Sequence, residues 1–330
     1  MPQRPAPVPS GLGAAFSVRE GRAAGMTPAQ LRRESLRAPT RGVRATGPPP
    51  ETVDVLARCR EALPWLPADA VFCGVTALAL LHVDLPRGVD PAGALHVEVG
   101  PGTTPPRRPG VRGHRRSGPG VPTRLLAGGV RVMPPEVVWT RMGGELDEEE
   151  LVVLGDALTR RRAPLSSVGG LEDALALLPP RARGRRRLRA ALSQVRPRTD
   201  SPMETRLRLL VVRGGLPEPV VNLPVLSGAG TFVALPDLSY PASKVAIEYD
   251  GDVHRTDRTT WRRDIGRRQV MEALGWRVVT CTADDLRRPA RALTWIRAAL
   301  TRPDEVAADA GFSATNPAAA AISTRGAGGR

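Results

Sequence analysis

Asp237, Glu248 and Asp250 could together hold a divalent cation. The run 244–249 is apolar until it reaches Glu248, and Asp250 follows two positions later, so both carboxylates point to one face of a strand. A short turn separates this predicted strand from the one that carries Asp237, which can therefore lie across from Glu248. Crowded carboxylates repel one another, and burying them is costly unless a cation binds. The spacing predicts a Mg²⁺ or Mn²⁺ site that could activate a water for phosphodiester hydrolysis.

The elements that would position these acids follow the order α-β-β-β-α-β-α. Hydrophobic periodicity and turn residues predict helices over 202–213, 257–274 and 283–300, and strands over 219–225, 231–240, 244–249 and 276–280. The simpler alternative is that the three acids are solvated residues at strand ends with no chemical role.

This part of the chain resembles a known nuclease family. The run Lys244-Val245-Ala246-Ile247-Glu248-Tyr249-Asp250-Gly251-Asp252-Val253-His254, preceded by Asp237, is similar to the very-short-patch-repair-endonuclease-like domain of the PD-(D/E)xK superfamily. The resemblance covers about residues 200–300 and continues in Ser201–Glu204, Asp264, Arg267, Arg268 and the run 275–279. It implies a restriction-endonuclease-like core that cleaves DNA with a bound metal.

The resemblance also implies roles for single residues. Asp237 and Glu248 would be metal ligands, and Asp250 stands where the superfamily usually has its lysine. Asp250 could then be a third ligand or part of a second metal site. His254 would be the general base or acid, since a histidine titrates near neutrality. The alternative for His254 is a surface histidine that caps a turn.

Two further groups have competing interpretations. Glu204 is either an acid that faces the metal from its helix or the partner of Ser201 in a capping box. Arg263, Arg267 and Arg268 either hold the phosphate backbone or form a solvated basic helix face. Core positions are expected for Trp276 and Trp295, and a buried position for Cys281.

The N-terminal half predicts a second, DNA-binding part. Residues 1–12 are expected to be disordered, and 13–47 predict two helices and a basic hairpin, the layout of a winged helix-turn-helix. The arginines that favour DNA binding there are Arg32, Arg33, Arg37, Arg41 and Arg44. The alternative is a helical hairpin that packs on the next domain.

The remaining segments complete the predicted organisation. Residues 51–178 predict a small α/β domain, and the runs 16–20, 31 and 41–43 resemble AbiEi-type antitoxin proteins. A basic linker is predicted over 179–200, where the arginines either track phosphates or cover a short helix. The nuclease-like domain would span 201–301, and a disordered tail 302–330.

Composition narrows the function classes. The 330 residues carry 48 Lys and Arg against 33 Asp and Glu, a net charge of +15, which favours a polyanionic partner such as DNA. Aromatic residues make up 3%, which argues against proteins that stack RNA bases. Three scattered cysteines favour neither a disulfide framework nor a cysteine zinc site. No apolar run suits a membrane span or a secretory signal, so a cytoplasmic protein is expected.

The sequence therefore predicts a Mg²⁺- or Mn²⁺-dependent DNA endonuclease that serves in DNA repair or in defence against phage and plasmids. The alternative is a catalytically inactive, antitoxin-like DNA-binding regulator, which the missing motif lysine favours. An RNA substrate, a homodimer and a cognate partner protein stay open.

Overall fold

The computed structural model describes residues 7–116, 120, 122–251 and 258–301, with only the backbone for 258–265. Its contacts divide the chain into two units, Met1–Asn222 and Leu223–Arg330. His254 lies outside the described residues, as do the predicted tail over 302–330 and residues 1–6 of the predicted disordered N-terminus. No helix in the described part of the chain is long and apolar enough to cross a membrane.

The first unit begins with a small module around a strand pair. Strand β1 (Ala15–Ser17) pairs antiparallel with β2 (Val43–Ala45). Helix α1 (Val18–Ala23) begins with a capping box formed by Ser17 and Glu20, and the single-turn helix α2 (Pro28–Leu31) begins with another. Phe16 is a buried strand residue, and α1 begins two residues later, at Val18. Buried apolar side chains close this module: Phe16, Met26, Leu31 and Leu36.

A mixed sheet forms the middle of the first unit. Its strands are β3 (Val71–Phe72), β4 (Leu95–Val99), β5 (Arg107–Arg108), β6 (Val111–Arg115), β7 (Arg124–Leu126) and β8 (Val130–Val132). Within the described residues they follow the order β5-β6-β4-β3-β8-β7. Strand β4 pairs parallel with β6 and antiparallel with β3. The helices that accompany the sheet are α3 (Val55–Ala62), α4 (Gly74–Leu80) and α5 (Pro135–Met142), with a 3₁₀ turn over Leu63–Trp65.

Helices complete the first unit. They are α6 (Glu148–Leu158), α7 (Val168–Ala176), α8 (Arg185–Gln194) and α9 (Pro202–Arg213), and the short strand β9 (Val220–Val221) follows. Asp147 caps α6, because its carboxylate accepts a hydrogen bond from the Glu150 N–H. Acidic residues are favourable at the beginning of a helix. Helix α8 stands where the sequence predicts a basic linker. It is part of the core because Leu188 and Ala191 are fully buried.

Buried ion pairs join α9 to α6. Arg208 and Asp156 are both almost completely buried, and their side chains meet at 2.9 Å. Asp156 also accepts hydrogen bonds from the Thr205 hydroxyl at 2.9 Å and the Arg196 N–H at 2.7 Å. Burial raises the pKa of Asp156 to about 6, and the Arg208 guanidinium acts in the opposite direction. Arg206 makes a second buried pair with Glu150 at 2.6 Å.

The second unit contains strands of two separate sheets, together with three helices in its described part. Its strands are β10 (Val225–Leu226), β11 (Phe232–Ala234), β12 (Leu238–Tyr240), β13 (Val245–Tyr249) and β14 (Arg277–Cys281), and its helices are α10 (Arg258–Ala273), α11 (Ala283–Arg287) and α12 (Ala290–Thr301), with a 3₁₀ turn over Pro241–Ser243. Strand β13 pairs antiparallel with β12 and parallel with β14. From α9 onward the elements follow the predicted α-β-β-β-α-β-α order, with extra breaks inside the first two predicted strands and before Ala290.

Two of the three core predictions hold for the second unit. Cys281 is fully buried, and Trp276 packs against the core cluster that includes Ala246 and Met271. The core prediction for Trp295 is wrong, because 47% of this residue is exposed. Its ring lies instead under the Arg291 guanidinium, 4.9 Å from the ring centre.

Removing one partner of the buried pair should destabilise the protein strongly. We expect Asp156→Ala to lower the free energy of unfolding by about 3–5 kcal/mol, because it removes the buried carboxylate partner of Arg208 and leaves this buried guanidinium with only the partly exposed Glu218 as a carboxylate partner among the described residues. Urea denaturation followed by circular dichroism measures this change. The matched control is Arg213→Ala. It removes the partly exposed ion pair between Arg213 of α9 and Glu149 of α6. The control should change stability by about 1 kcal/mol or less, and equal effects of the two substitutions would contradict the prediction.

Candidate active site

The strand register places Asp237 beside Glu248. Leu238 pairs with Ile247, and the antiparallel register carried one residue further sets Asp237 opposite Glu248. Directly opposed residues of an antiparallel pair point to the same face, so the two carboxylates share one side of the sheet. Asp237 Oδ2 accepts a hydrogen bond of 2.7 Å from the backbone N–H of Tyr249, the residue after Glu248. The structure therefore brings together the two acids that the sequence predicts as a pair.

Helix α10 covers this same face. Ala246 and Val278 lie in register with each other on the carboxylate face and belong to the apolar cluster that contains Met271 of α10. Four residues before Met271 on α10, Arg267 forms an ion pair with Glu248, with 3.2 Å between Nη2 and Oε1. About a fifth of the Glu248 side chain and a third of the Arg267 side chain are exposed, at 20% and 37%. Water and solutes therefore have access to this ion pair.

The next arginine of α10 also reaches the sheet. The Arg268 guanidinium donates a hydrogen bond to the Thr280 hydroxyl, and Thr280 is the register partner of Glu248 on β14. Both described arginines of the predicted phosphate-binding group thus lie against the end of the sheet that carries the acids. The side chain of the third, Arg263, lies outside the described residues, as does that of Asp264.

Asp250 follows directly after strand β13, which carries Glu248. Its backbone N–H donates to the Cys281 carbonyl at 2.8 Å, which extends the β13–β14 ladder by one residue. The residue is partly exposed, and Gly251 is the last residue described before His254 and its neighbours. The structure therefore fixes where Asp250 lies along the strand.

The donor set fits a cation held by two carboxylates. Among the residues that the structure describes, no three His, Cys, Asp or Glu side chains come together to hold a metal. Mg²⁺ nevertheless needs only one or two protein carboxylates when water and substrate phosphates supply its other oxygen ligands. Asp237 and Glu248 provide such a pair on one face of the sheet.

Glu204 lies in the first unit, where it has structural contacts. Its carboxylate accepts hydrogen bonds from the Asn222 side chain at 2.7 Å and from the Asp200 N–H at 2.9 Å. Its own N–H donates to the Ser201 hydroxyl, so Ser201 caps α9 as one half of the predicted capping box, while the Glu204 carboxylate accepts from the N–H of Asp200. Burial raises the pKa of Glu204, and the Asp200 and Asn222 hydrogen bonds act in the opposite direction. These contacts anchor the beginning of α9.

Two of the N-terminal arginines predicted to bind DNA are engaged within the protein. Arg37 donates to the carbonyl of Gly47 at 2.7 Å and forms an ion pair with Glu61 of α3. Arg44 donates to the carbonyls of Leu31 and Val43. Arg32 and Arg41 are exposed and Arg33 is partly buried. The exposed pair is therefore the part of this group that is open to a partner.

Sequence reasoning missed a histidine pair on the sheet of the first unit. Nε2 of His114 lies 3.3 Å from Nδ1 of His96, on the neighbouring parallel strands β6 and β4. Burial is the largest cause that lowers the pKa of both histidines. The next cause is the charge of His114 for His96, and the charge of Arg112 for His114. Glu145 acts in the opposite direction on both. Only the pairing of β4 with β6 reveals this contact, and no local pattern signals it.

Stability should fall on acidification because of this pair. A histidine with a lowered pKa takes up its proton more readily in the unfolded chain, so the unfolded state gains as the pH drops below about 6.5. We expect the urea midpoint to decrease from about pH 7.5 to about pH 5.5, within the range where free histidine titrates.

Replacing both histidines should weaken that pH dependence. His96→Asn with His114→Asn is compared with His82→Asn, which changes an exposed histidine at a positive φ that asparagine tolerates. The double variant should lose part of the acid-induced decrease that the His82 variant keeps. Identical pH profiles for the two variants would contradict the assignment.

Comparisons with known proteins give relatives without an assigned role. No family model matches the chain. The crystal structure of the RV2827C protein from Mycobacterium tuberculosis superposes with a TM-score of 0.38 at 15% identity, over 65% of this chain and 84% of that one. The uncharacterized proteins Rv2248 (strain ATCC 25618 / H37Rv) and MT2308 (strain CDC 1551 / Oshkosh) of the same species are each 30% identical over 241 residues, which cover 71% of this chain and 82% of theirs. The chain therefore belongs to the family of these uncharacterized mycobacterial proteins.

Proposed function

We propose that the protein is a divalent-metal-dependent DNA endonuclease whose active site lies in the C-terminal unit. The observation that carries the proposal is the placement of Asp237 against the Tyr249 N–H, opposite Glu248 on one face of the sheet. Strand order, register and the covering helix α10 suit a restriction-endonuclease-like core. The finer assignment of the N-terminal module as winged-helix-like belongs to the same proposal.

The chain's residues would divide the work as follows. Asp237 and Glu248 would hold the metal, with the Tyr249 N–H fixing one oxygen of Asp237 and so the direction of the other. The metal would supply an activated water and would neutralise negative charge that develops on the phosphate. Arg267, at 3.2 Å from Glu248, would offset the charge of that carboxylate before a cation arrives. Asp250 and His254 follow on the same chain segment as a further ligand and as the group that exchanges protons with water.

Charge supports DNA as the substrate. The chain has a net charge of +15, and exposed Arg32 and Arg41 remain available in the N-terminal module. Arginine suits phosphate because its planar guanidinium donates two parallel hydrogen bonds. Arg268 and Arg263 on α10 would contact the strand that is cut.

A second candidate is a DNA-binding regulator that does not cleave. The Glu248–Arg267 ion pair favours it, since a guanidinium already occupies the position from which a metal would be bound. Asp250 in place of the superfamily's lysine favours it as well, because a carboxylate cannot supply the positive charge of an ammonium group. A homodimer and a cognate partner protein remain compatible with both candidates.

Plasmid cleavage distinguishes the two. Supercoiled plasmid is incubated with the protein and Mg²⁺, Mn²⁺ or EDTA, and nicking is followed on agarose gels. We expect nicking only with metal, and a decrease of roughly 100-fold or more for Asp237→Asn and Glu248→Gln, as the loss of about 3 kcal/mol of transition-state stabilisation implies. The matched control is Glu272→Gln, which changes an exposed acid on α10.

The outcomes separate cleanly. Metal-dependent nicking that both active-site variants retain would overturn the site assignment. Intact plasmid together with salt-sensitive binding would support the regulator and reject the endonuclease. Neither nicking nor binding would reject both candidates.

A further inference from the structure

An open groove in the first unit is lined by arginines that the active site does not use. It has a volume of about 760 Å³ and lies where the segment before α8 meets the beginning of that helix. Among the described residues its charged lining consists of Glu148 and the arginines Arg181, Arg185, Arg186, Arg187 and Arg189. We call this surface the arginine groove.

Two of these arginines are held in place by the fold. Arg185 donates a hydrogen bond of 2.8 Å to the carbonyl of Leu175, in the last turn of α7. Arg187 donates one of 2.7 Å to the carbonyl of Leu146, between α5 and α6, and a longer one of 3.4 Å to the carbonyl of Gly143, the C-cap of α5. Guanidinium groups suit such carbonyls because helix C-termini carry partial negative charge. These contacts fix the lip of the groove.

The other three have no such contacts. Arg181, Arg186 and Arg189 are exposed. Within the described part of the chain, none of their guanidinium groups makes a hydrogen bond or an ion pair. Arg186 and Arg189 are three residues apart on α8 and therefore lie on the same side of the helix. The only acid in the lining, Glu148, accepts a hydrogen bond from Gln194 at 2.7 Å.

Folding accounts for Arg185 and Arg187 through these carbonyl contacts, but within the described residues it gives no such reason for Arg181, Arg186 and Arg189. Arg185, Arg186 and Arg187 occupy the first turn of α8, where the helix dipole disfavours positive charge. Gly184 caps the helix with a φ of 82° and provides no side chain to offset them. A Cβ at this position would lie 2.1 Å from the Gly143 carbonyl oxygen, so the close approach of α8 to the end of α5 requires glycine. A bound polyanion would compensate the repulsion that the chain itself leaves uncompensated.

We infer that the arginine groove binds the phosphate backbone of duplex DNA, an inference that rests on the proposed DNA-directed function. The lining favours DNA over an acidic protein segment. In the described part of the chain its apolar side chains are those of Pro180, Ala182 and Ala190, whereas protein partners are anchored by large apolar or aromatic side chains. Phosphate contacts of this kind position a duplex and carry no sequence preference of their own.

The salt dependence of DNA binding tests the groove. Arg181→Gln, Arg186→Gln and Arg189→Gln are combined, and binding to a duplex oligonucleotide is measured by fluorescence anisotropy at several salt concentrations. Each lost phosphate contact should reduce the slope of log K against log salt by about 1, so the triple variant should lose about 3. Affinity should fall equally for unrelated DNA sequences.

Two controls isolate the groove from net charge. Arg22→Gln, Arg162→Gln and Arg288→Gln remove the same charge from exposed positions elsewhere and should leave most of the slope unchanged. The combination of Arg181→Lys, Arg186→Lys and Arg189→Lys keeps the charge and should retain most of the slope. A groove variant that matches the distant control would overturn the inference.

The failure of this inference can be told from the failure of the proposed function. If the parent protein does not bind duplex DNA even at low salt, the DNA-directed function itself is rejected. If the parent binds with a steep salt slope that the groove variant retains, only the groove is rejected. Competition by polyglutamate that the groove variant abolishes, with DNA binding unchanged, would assign the groove to an acidic protein and overturn the inference.

Discussion

The buried pair between Arg208 and Asp156 limits how the first unit can be arranged. Seven residues of α9 are buried, and charged side chains at Glu204, Arg206 and Arg208 are among them. Such a helix cannot dock by apolar packing alone, because each desolvated charge needs its own partner. Glu150 and Asp156 of α6 supply those partners for the two arginines, and a shift of α9 along α6 would separate both pairs. The ion pairs thus select one register, whatever their net contribution to stability.

The same principle operates differently at the candidate active site. Glu248 also has an arginine partner, but both side chains of that pair are partly exposed. A partly exposed ion pair contributes little to stability and can be opened by a competing ion. The fully buried pair fixes a structure, whereas the Glu248–Arg267 pair leaves the carboxylate able to exchange its partner. A metal or a phosphate group could take up either half of it.

The sequence predicted the C-terminal part well because its signals are local. Strand alternation, short turns and the apolar run before Glu248 define both the elements and the register that sets Asp237 opposite it. The resemblance to a nuclease family added roles, which stay predictions, whereas the strand register sets the two carboxylates side by side. His254 lies outside the described residues.

The predictions that needed tertiary contacts were less successful. The linker over 179–200 contains helix α8 with Leu188 buried, which corresponds to the alternative of a short helix covered by arginines. Arg37 and Arg44 were predicted to contact DNA. The Arg37 guanidinium instead binds the Gly47 carbonyl and Glu61, and that of Arg44 binds the Leu31 carbonyl. These partners lie 10 or more residues away in the sequence, so the local pattern does not indicate them. Trp295 looked like a core residue because composition gives no hint of the cation above its ring.

Net charge alone therefore cannot locate a nucleic-acid surface in this protein. Lys244, the single lysine, donates from Nζ to the carbonyl of Leu274 at the end of α10, and Arg185 and Arg187 bind carbonyls near the ends of α7 and α5. Positive charge near a helix C-terminus interacts favourably with the helix dipole, so it has a structural reason. Charges that lack such a reason are the informative ones. Arg181, Arg186 and Arg189 belong to this class, since they gather around the beginning of α8 and form no ion pair within the described part of the chain.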